Sequence, residues 1–467
     1  MDINSIANAF GIEIVADVSA FCSDKITAWR RVYENIPPWQ TTKKGGLFSQ
    51  NGERQLLRLN MAKTLCDSFS GMTFAEQCDI TVDSAEYQKL VADTLEANSF
   101  WDRLPDLLSG VYALGGGVLK AFLDDGNVRI DYIPADRFIP VKWDGRRITE
   151  AVFVSVTSKG KDVYTLLEYQ RPGKAHFRLY KSASDKELGK EVPLSELYPK
   201  LPETVSYKTD IPMFAYIRPA VSNNTQYCTP LGMSVFADCL DTLKSLDTVF
   251  DSFVREFVLG KKRIIVPDGC IRTVIDPDTG EPQRYFDASD EAFVALKADD
   301  RENLKITDNT AELRVEEHIS AINALLNILC MQTGLSAGTF SFDMQQGMKT
   351  ATEIISQESK SARTIRTNKN LLTEAIEDIV HAVIFLGAEN TADYNVAVGW
   401  KDNIVEDINS VADRTIKLYS AGLISRQKAI MDIYGMDEAG ALAMIEQINK
   451  ESDVSGGGLD MFGKSAE

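Results

Sequence analysis

Residues 231–260 read LGMSVFADCLDTLKSLDTVFDSFVREFVLG, and KKR follows at 261–263. The apolar residues Leu231, Val235, Phe236, Leu240, Leu243, Leu246, Val249, Phe250, Phe253, Val254 and Phe257 recur in steps of three and four. That period puts them on one broad helical face. A helix from Leu231 to Leu259 would run roughly 40 Å at 1.5 Å per residue. Gly260 is a natural end for it. A second apolar helical pattern covers about Glu312 to Thr333. Between them lie a short strand IIV and turns rich in Pro, Asp and Gly (PDG, DPDTGEP). Residues 260–311 therefore read as a small β-containing insertion between two long helices, a stalk with a module at its tip.

Before the stalk the period changes twice. Residues 54–69, with Leu56, Leu57, Leu59, Met61, Leu65 and Phe69, read as a helix, and 85–97 and 101–113 as two more. Gly115-Gly116-Gly117 breaks the pattern. From Val118 apolar residues alternate, and three hairpins are predicted about Asp125-Gly126, Asp144-Gly145 and Pro172-Gly173. After the stalk come a Gly-containing segment, a long polar helix over about Thr350 to Leu386, and short helices from about Asn403, with Ser425 a plausible N-cap. SDVSGGGLDMFGKSAE reads as a disordered tail. No internal repeat is present. The fold class is α+β.

Composition narrows the function. The chain of 467 residues carries 50 Lys and Arg against 68 Asp and Glu, a net charge of −18. Tight wrapping of nucleic acid needs the opposite balance, although an acidic protein can surround DNA without gripping it. Seven cysteines are widely spaced with no C-x-x-C, which reads as scattered small apolar residues in a reducing compartment. Three histidines, His176, His318 and His381, leave little for metal or imidazole chemistry. No apolar run is long enough to span a membrane, and the first residues lack a signal-peptide pattern, so a cytoplasm is the expected place of synthesis.

Two motifs could carry chemistry. Gly334-Leu335-Ser336-Ala337-Gly338 matches G-x-S-x-G, which would make Ser336 the nucleophile of a serine hydrolase. A nucleophile elbow needs a strand before the serine and a helix directly after it. Here a helical pattern precedes it and a polar stretch follows, so the segment reads as an extended mobile loop. The one later histidine, His381, lies in an apolar helical pattern. Gly347-Met348-Lys349-Thr350 resembles the end of a phosphate-binding loop and would suit a packaging ATPase, but Met348 separates Gly from Lys and no strand leads in. No cofactor motif remains. Lys360, Arg363, Arg366 and Lys369 recur every three residues and fan over about half of their helix. They read as a solvated face, or as contacts to phosphates or to an acidic neighbouring subunit. Lys261, Lys262 and Arg263 carry the same two readings.

RLNMAKTLCDSFSGMTF, IPADRFIPVKWDGRRITEAVFV, LGMSVFADCLDTLKSLDTVFDSFVREF, GLSAGTFSFDMQQGMKTATEI and AGLISRQKAIMDIYGMDEAGALAMIEQI occur in that order. Together they resemble the portal proteins of tailed double-stranded-DNA phages, the head–tail connectors. The resemblance implies an elongated, non-enzymatic subunit. Its mixed α/β wing would be 1–230 with the return helix over 351–402. Its two-helix stem would be 231–259 and 312–334. The clip would be 260–311, the tunnel loop 335–350 and a helical crown 403–467. About twelve copies would form a ring around passing DNA. Gly338, Asp343, Met344, Gln345, Gln346 and Lys349 would then belong to the tunnel loop, and Lys261, Lys262 and Arg263 to the clip. Implied partners are double-stranded DNA in weak contact, the terminase large subunit, a head–tail adaptor, and the capsid and scaffold proteins. The implied place is the capsid portal vertex.

Overall fold

A computed structural model describes residues 3–43, 53–74, 77–184, 187–260, 264–267, 273–275, 282–284, 293–296, 307–308, 312–342, 351–388, 393–400, 408–434, 436 and 438–456. The chain divides into two compact units, Met1–Trp400 and Lys401–Glu467.

The first unit opens with helices α1 (Ile3–Phe10), α2 (Ala16–Phe21) and α3 (Thr27–Tyr33). Strands β1 (Thr41–Lys43) and β2 (Glu53–Gln55) pair antiparallel. Then come α4 (Met61–Phe74), β3 (Cys78–Val82), α5 (Ala85–Ala97) and α6 (Phe100–Leu114). The pattern beginning at Arg54 overstates α4, which starts at Met61. Its first residues belong to a strap, 53–60, whose backbone donors are used elsewhere: the N–H groups of Leu57 and Leu59 bond the carboxylates of Asp251 and Asp247 at 3.1 Å each. Asn60, with φ 52°, turns the strap into the helix.

The alternating segments form strands as predicted. They are β4 (Gly117–Asp124), β5 (Asn127–Pro134), β6 (Phe138–Asp144), β7 (Arg147–Lys159), β8 (Asp162–Arg171), β9 (Lys174–Ser182), β10 (Lys190–Val192), β11 (Thr204–Ser206) and β12 (Phe214–Ile217). Two hairpins turn at Asp125-Gly126 and Pro172-Gly173 as expected, the β6–β7 hairpin turns at Gly145-Arg146, one residue later than expected, and a fourth joins β7 to β8 across Gly160. A six-stranded sheet runs β10-β9-β8-β7-β6, with β11 also on β9; a three-stranded sheet runs β12-β4-β5. Ile6 of α1 and Val18 of α2 are buried with Ile139, Val152, Leu167 and Tyr180 of the six-stranded sheet. Phe138, Phe153 and Phe214 pack in the main core.

The expected helix from Leu231 begins only at Leu240: α7 spans Leu240–Leu259, about 30 Å of helix. Leu231 to Phe236 are buried without being helical, because tertiary contacts outweigh the period. The Val235 N–H donates to the Tyr112 carbonyl at 3.0 Å. Gly232 and Gly115 meet backbone to backbone, and a Cβ on Gly115 would lie 2.4 Å from the Gly232 carbonyl oxygen. Gly115 also ends α6 at φ 80°, a conformation that favours glycine.

Strands β13 (Ile264–Pro267), β14 (Thr273–Ile275), β15 (Pro282–Arg284), β16 (Phe293–Leu296) and β17 (Thr307–Asp308) follow α7, so the insertion is β-containing as expected. α8 (Val315–Thr333) returns, α9 (Ala351–Gly387) is 37 residues long, and β18 (Val396–Trp400) pairs antiparallel with β3. The second unit holds α10 (Ile408–Ser420), α11 (Arg426–Tyr434) and α12 (Glu438–Gly456). Ser425 does cap α11, its hydroxyl accepting the Lys428 N–H at 3.1 Å. The expected tail is helical as far as Gly456, and its remainder lies outside the described residues.

Candidate functional site

Helices α7 and α8 lie side by side. Leu243 and Leu246 of α7 and Ile322, Leu326, Leu329 and Cys330 of α8 are buried in the shared core. Polar contacts fix the register at both ends. Thr242 Oγ1 donates to Gln332 Oε1 at 2.8 Å. Toward the insertion, Arg314 holds Glu256 with two bonds of 3.0 and 2.9 Å, and His318 Nε2 lies 3.2 Å from Ser252 Oγ. Arg314 keeps the Glu256 carboxyl below the usual range. Apolar side chains remain outside: Val258 is 59% and Met331 64% exposed, with Phe257 and Ile328 also exposed.

Two aspartates one turn apart on α7 receive the strap. Asp247 accepts the Trp39 indole N–H at 2.8 Å as well as Leu59. Asp251 accepts both Arg54 guanidinium nitrogens at 2.6 Å as well as Leu57. Burial raises the Asp247 carboxyl; the Arg54 hydrogen bonds lower that of Asp251. Sequence reading missed this site, because its halves lie some 200 positions apart (197 between Arg54 and Asp251).

The expected mobile loop is well packed where it begins. Gly334 ends α8 at φ 80°, and its carbonyl accepts Thr364 Oγ1 at 2.7 Å. Ser336 and Ser361 are tied reciprocally. Ser336 N–H donates to Ser361 Oγ at 2.9 Å, Ser361 N–H to Ser336 Oγ at 3.3 Å, and the two hydroxyls are 3.0 Å apart. The Gly338 N–H bonds Asn327 Oδ1 at 2.9 Å and the Phe342 N–H bonds Asn323 Oδ1 at 2.8 Å, laying the segment back along α8. Asp343, Met344, Gln345, Gln346 and Lys349 lie outside the described residues, as do Lys261, Lys262 and Arg263.

On α9, Lys360, Arg363 and Arg366 are exposed, while Ile365 and Asn368 are buried. Lys360 Nζ donates to the Met331 carbonyl at 3.3 Å. Lys369 is half-buried, its ammonium 5.4 Å from the Trp400 ring centre. The fan is therefore not uniform: one member is held by α8 and one by an aromatic face. Among the described residues, no cluster of His, Cys, Asp or Glu could hold a metal ion, and no helix is long and apolar enough to cross a membrane.

Residues 23–456 match the family described as phage portal protein, SPP1 Gp6-like. This chain belongs to the phage portal protein family. No curated protein matches it. Among solved structures, a chain of the virion of the native gene transfer agent particle is similar at 10% identity and TM-score 0.41, covering 88% of this portal chain and 99% of its own length. That likeness is too loose to carry an argument about function.

The geometry explains why a portal chain contains GLSAG. Ser336 is buried and committed to Ser361, and the histidine that follows it in the sequence is far away. His381 lies 20 residues beyond Ser361 on α9, about 30 Å of helix, and its Nδ1 is 2.9 Å from the Tyr394 hydroxyl. The motif fastens a loop root to a helix. Ser336→Ala should leave fluorophosphonate labelling at background, as in the wild type, and lower stability by about 1 kcal/mol. Labelling that requires Ser336 would restore the hydrolase reading.

Proposed function

We propose that this portal chain is the repeating subunit of a DNA-conducting ring at one capsid vertex. The match over 23–456 carries the reading. The exposed apolar side chains at both ends of the α7–α8 pair support it, because neighbouring copies can cover such side chains. In this reading 1–230 and 351–402 are the wing, and 231–259 with 312–334 the stem, helical from Leu240 and Val315 onward. Residues 260–311 are the clip, 335–350 the tunnel loop and 403–467 the crown.

The ring takes in DNA during packaging and releases it during ejection. Its charge of −18 per subunit keeps phosphate contact weak, so DNA slides. The clip, with Lys261, Lys262 and Arg263, docks the terminase large subunit and later the head–tail adaptor. Gly338, Asp343, Met344, Gln345, Gln346 and Lys349 belong to the tunnel loop. Capsid and scaffold proteins meet the ring in the host cytoplasm, where it assembles. The subunit does no chemistry of its own.

Native mass measurement with negative-stain imaging of the purified chain tests this. Closed rings of about twelve subunits with a central hole are expected. A chain that stays monomeric at micromolar concentration, alone and with scaffold protein, would refute it.

A further inference from the structure

Asn60 stands where the strap passes into α4, the place of a helix cap. Its carbonyl accepts the Thr64 N–H at 3.3 Å, closing the first turn. Its side chain does not cap. A capping asparagine has extended backbone, which brings Oδ1 to an N–H of the first turn. Asn60 has φ 52° instead. Its Oδ1 is buried and has no hydrogen-bond partner among the described residues.

Asn60 also lines a small cavity between α3, α4 and α7. Val32, Pro37, Met61 and Leu243 are apolar walls, and Asn35, Trp39 and Asp247 are the other polar ones. The centre of a water-sized sphere has about 10 Å³ there, close to what one water molecule needs. The neighbouring polar groups are already engaged. Asn35 Oδ1 accepts Arg58 Nε at 2.9 Å, and the Trp39 indole N–H donates to Asp247 Oδ2 at 2.8 Å. Asp247 Oδ1 takes the Leu59 N–H at 3.1 Å. Each carboxylate oxygen can accept a second donor. The cavity thus joins an amide oxygen that lacks a donor to a buried carboxylate with lone pairs to spare.

We propose that this cavity is the site of one ordered water molecule, which donates one hydrogen to Asn60 Oδ1 and the other to the Asp247 carboxylate. A buried amide oxygen without a donor is costly, and a water shared between two acceptors removes that cost. A cation suits the place poorly, because the Arg58 guanidinium already holds Asn35 at the cavity wall. Burial raises the Asp247 carboxyl against the pull of Trp39, Leu59 and Arg58, as befits an anion that can use a further donor. The water completes the Asp247 anchor of the strap, the part that Arg54 plays at Asp251.

The test starts with a crystal or cryo-EM map of the full chain that resolves ordered solvent. One peak about 2.5–3.0 Å from both Asn60 Oδ1 and an Asp247 oxygen is expected. An empty cavity overturns the proposal. So does an amide turned to bond Asp247 directly through its NH₂, or a peak that gains anomalous scattering when RbCl replaces NaCl, the mark of a cation. Hydrogen exchange reads the same site in solution. Asn60→Gly removes the acceptor, and glycine takes the left-handed backbone without strain. Losing a bonded acceptor should speed exchange of the Leu57 and Leu59 amides roughly fivefold, with β7 and β8 unchanged. Removing an oxygen that has no donor would lift a desolvation cost and slow that exchange, so a slowed or unchanged rate also overturns the proposal. If Asn60→Gly does not fold, the wild-type map decides alone.

Discussion

Lys120→Ala is expected to cost about 3–5 kcal/mol of stability, because it strands a buried carboxylate. Lys120 on β4 and Glu168 on β8 are each 5% exposed, and they join the two sheets through a 2.5 Å bond between Nζ and Oε2. Gln170 donates to the other Glu168 oxygen at 2.6 Å, and Asp131 stands 3.4 Å from the ammonium. Replacing both ends, as Lys120→Met/Glu168→Leu, should return most of the loss, since an apolar pair of similar volume removes the unpaired charge. Denaturant unfolding followed by tryptophan fluorescence reads both variants. A single variant within about 1 kcal/mol of wild type would mean that water reaches Glu168. The pH response has a definite sign. Burial alone would depress the Lys120 ammonium, but Glu168 and Asp131 more than offset it, so its pKa is raised. Its stabilisation is thus fully present below the unfolded value near 10.4 and fades as pH climbs through the folded one.

Asp251→Ala should release the strap from α7. The carboxylate is 5% exposed and takes three donors, two of them from Arg54. Losing it leaves a guanidinium and an N–H without their acceptor, a cost of about 2–3 kcal/mol given that Arg54 keeps partial contact with water. Hydrogen exchange separates this from a general loss of stability: amides of 53–59 should exchange faster while those of β7 and β8 keep their rates. Equal acceleration everywhere would show that the strap is not an independent element. In wild type the same contact weakens with acid. The Asp251 carboxyl is lowered, so its contribution is present above the unfolded value near 3.9 and is lost as pH falls through the folded one. The Asp251 contribution is thus lost toward acid and the Lys120 contribution toward base.

How much was legible in the sequence depended on whether the signal was local. The hairpins were, because Asp125-Gly126 and Pro172-Gly173 supply turn chemistry between alternating strands, and Gly145 does so one residue past the expected centre of the other. The helix pair was legible in kind but not in extent. Leu231 to Phe236 and Leu56 to Leu59 both carry a helical period, yet their backbone groups are taken up by Tyr112, Asp247 and Asp251. A period need not follow the backbone path: Leu231 to Phe236 are buried and Leu56 and Leu59 half-buried without a helix, while Leu57 is exposed. GLSAG was rightly read as a loop, although its root is fastened where a mobile segment was expected, because Ser361 lies 25 positions downstream.

The pairing of β3 with β18 has a consequence for timing. Thr81 Oγ1 donates to the Ala397 carbonyl across 316 positions of chain, and the register runs from Val82↔Val396 to Cys78↔Trp400. A nascent chain cannot close this sheet until its four-hundredth residue has left the ribosome. At typical elongation rates that is roughly 20–60 s after Thr81 emerges. Contacts so distant in sequence also form slowly once they are possible. In the last part of that interval α7 and α8 are both made, with apolar side chains uncovered and the sheet of β3 and β18 still open. A chain still being synthesised would thus offer any neighbour an incomplete subunit.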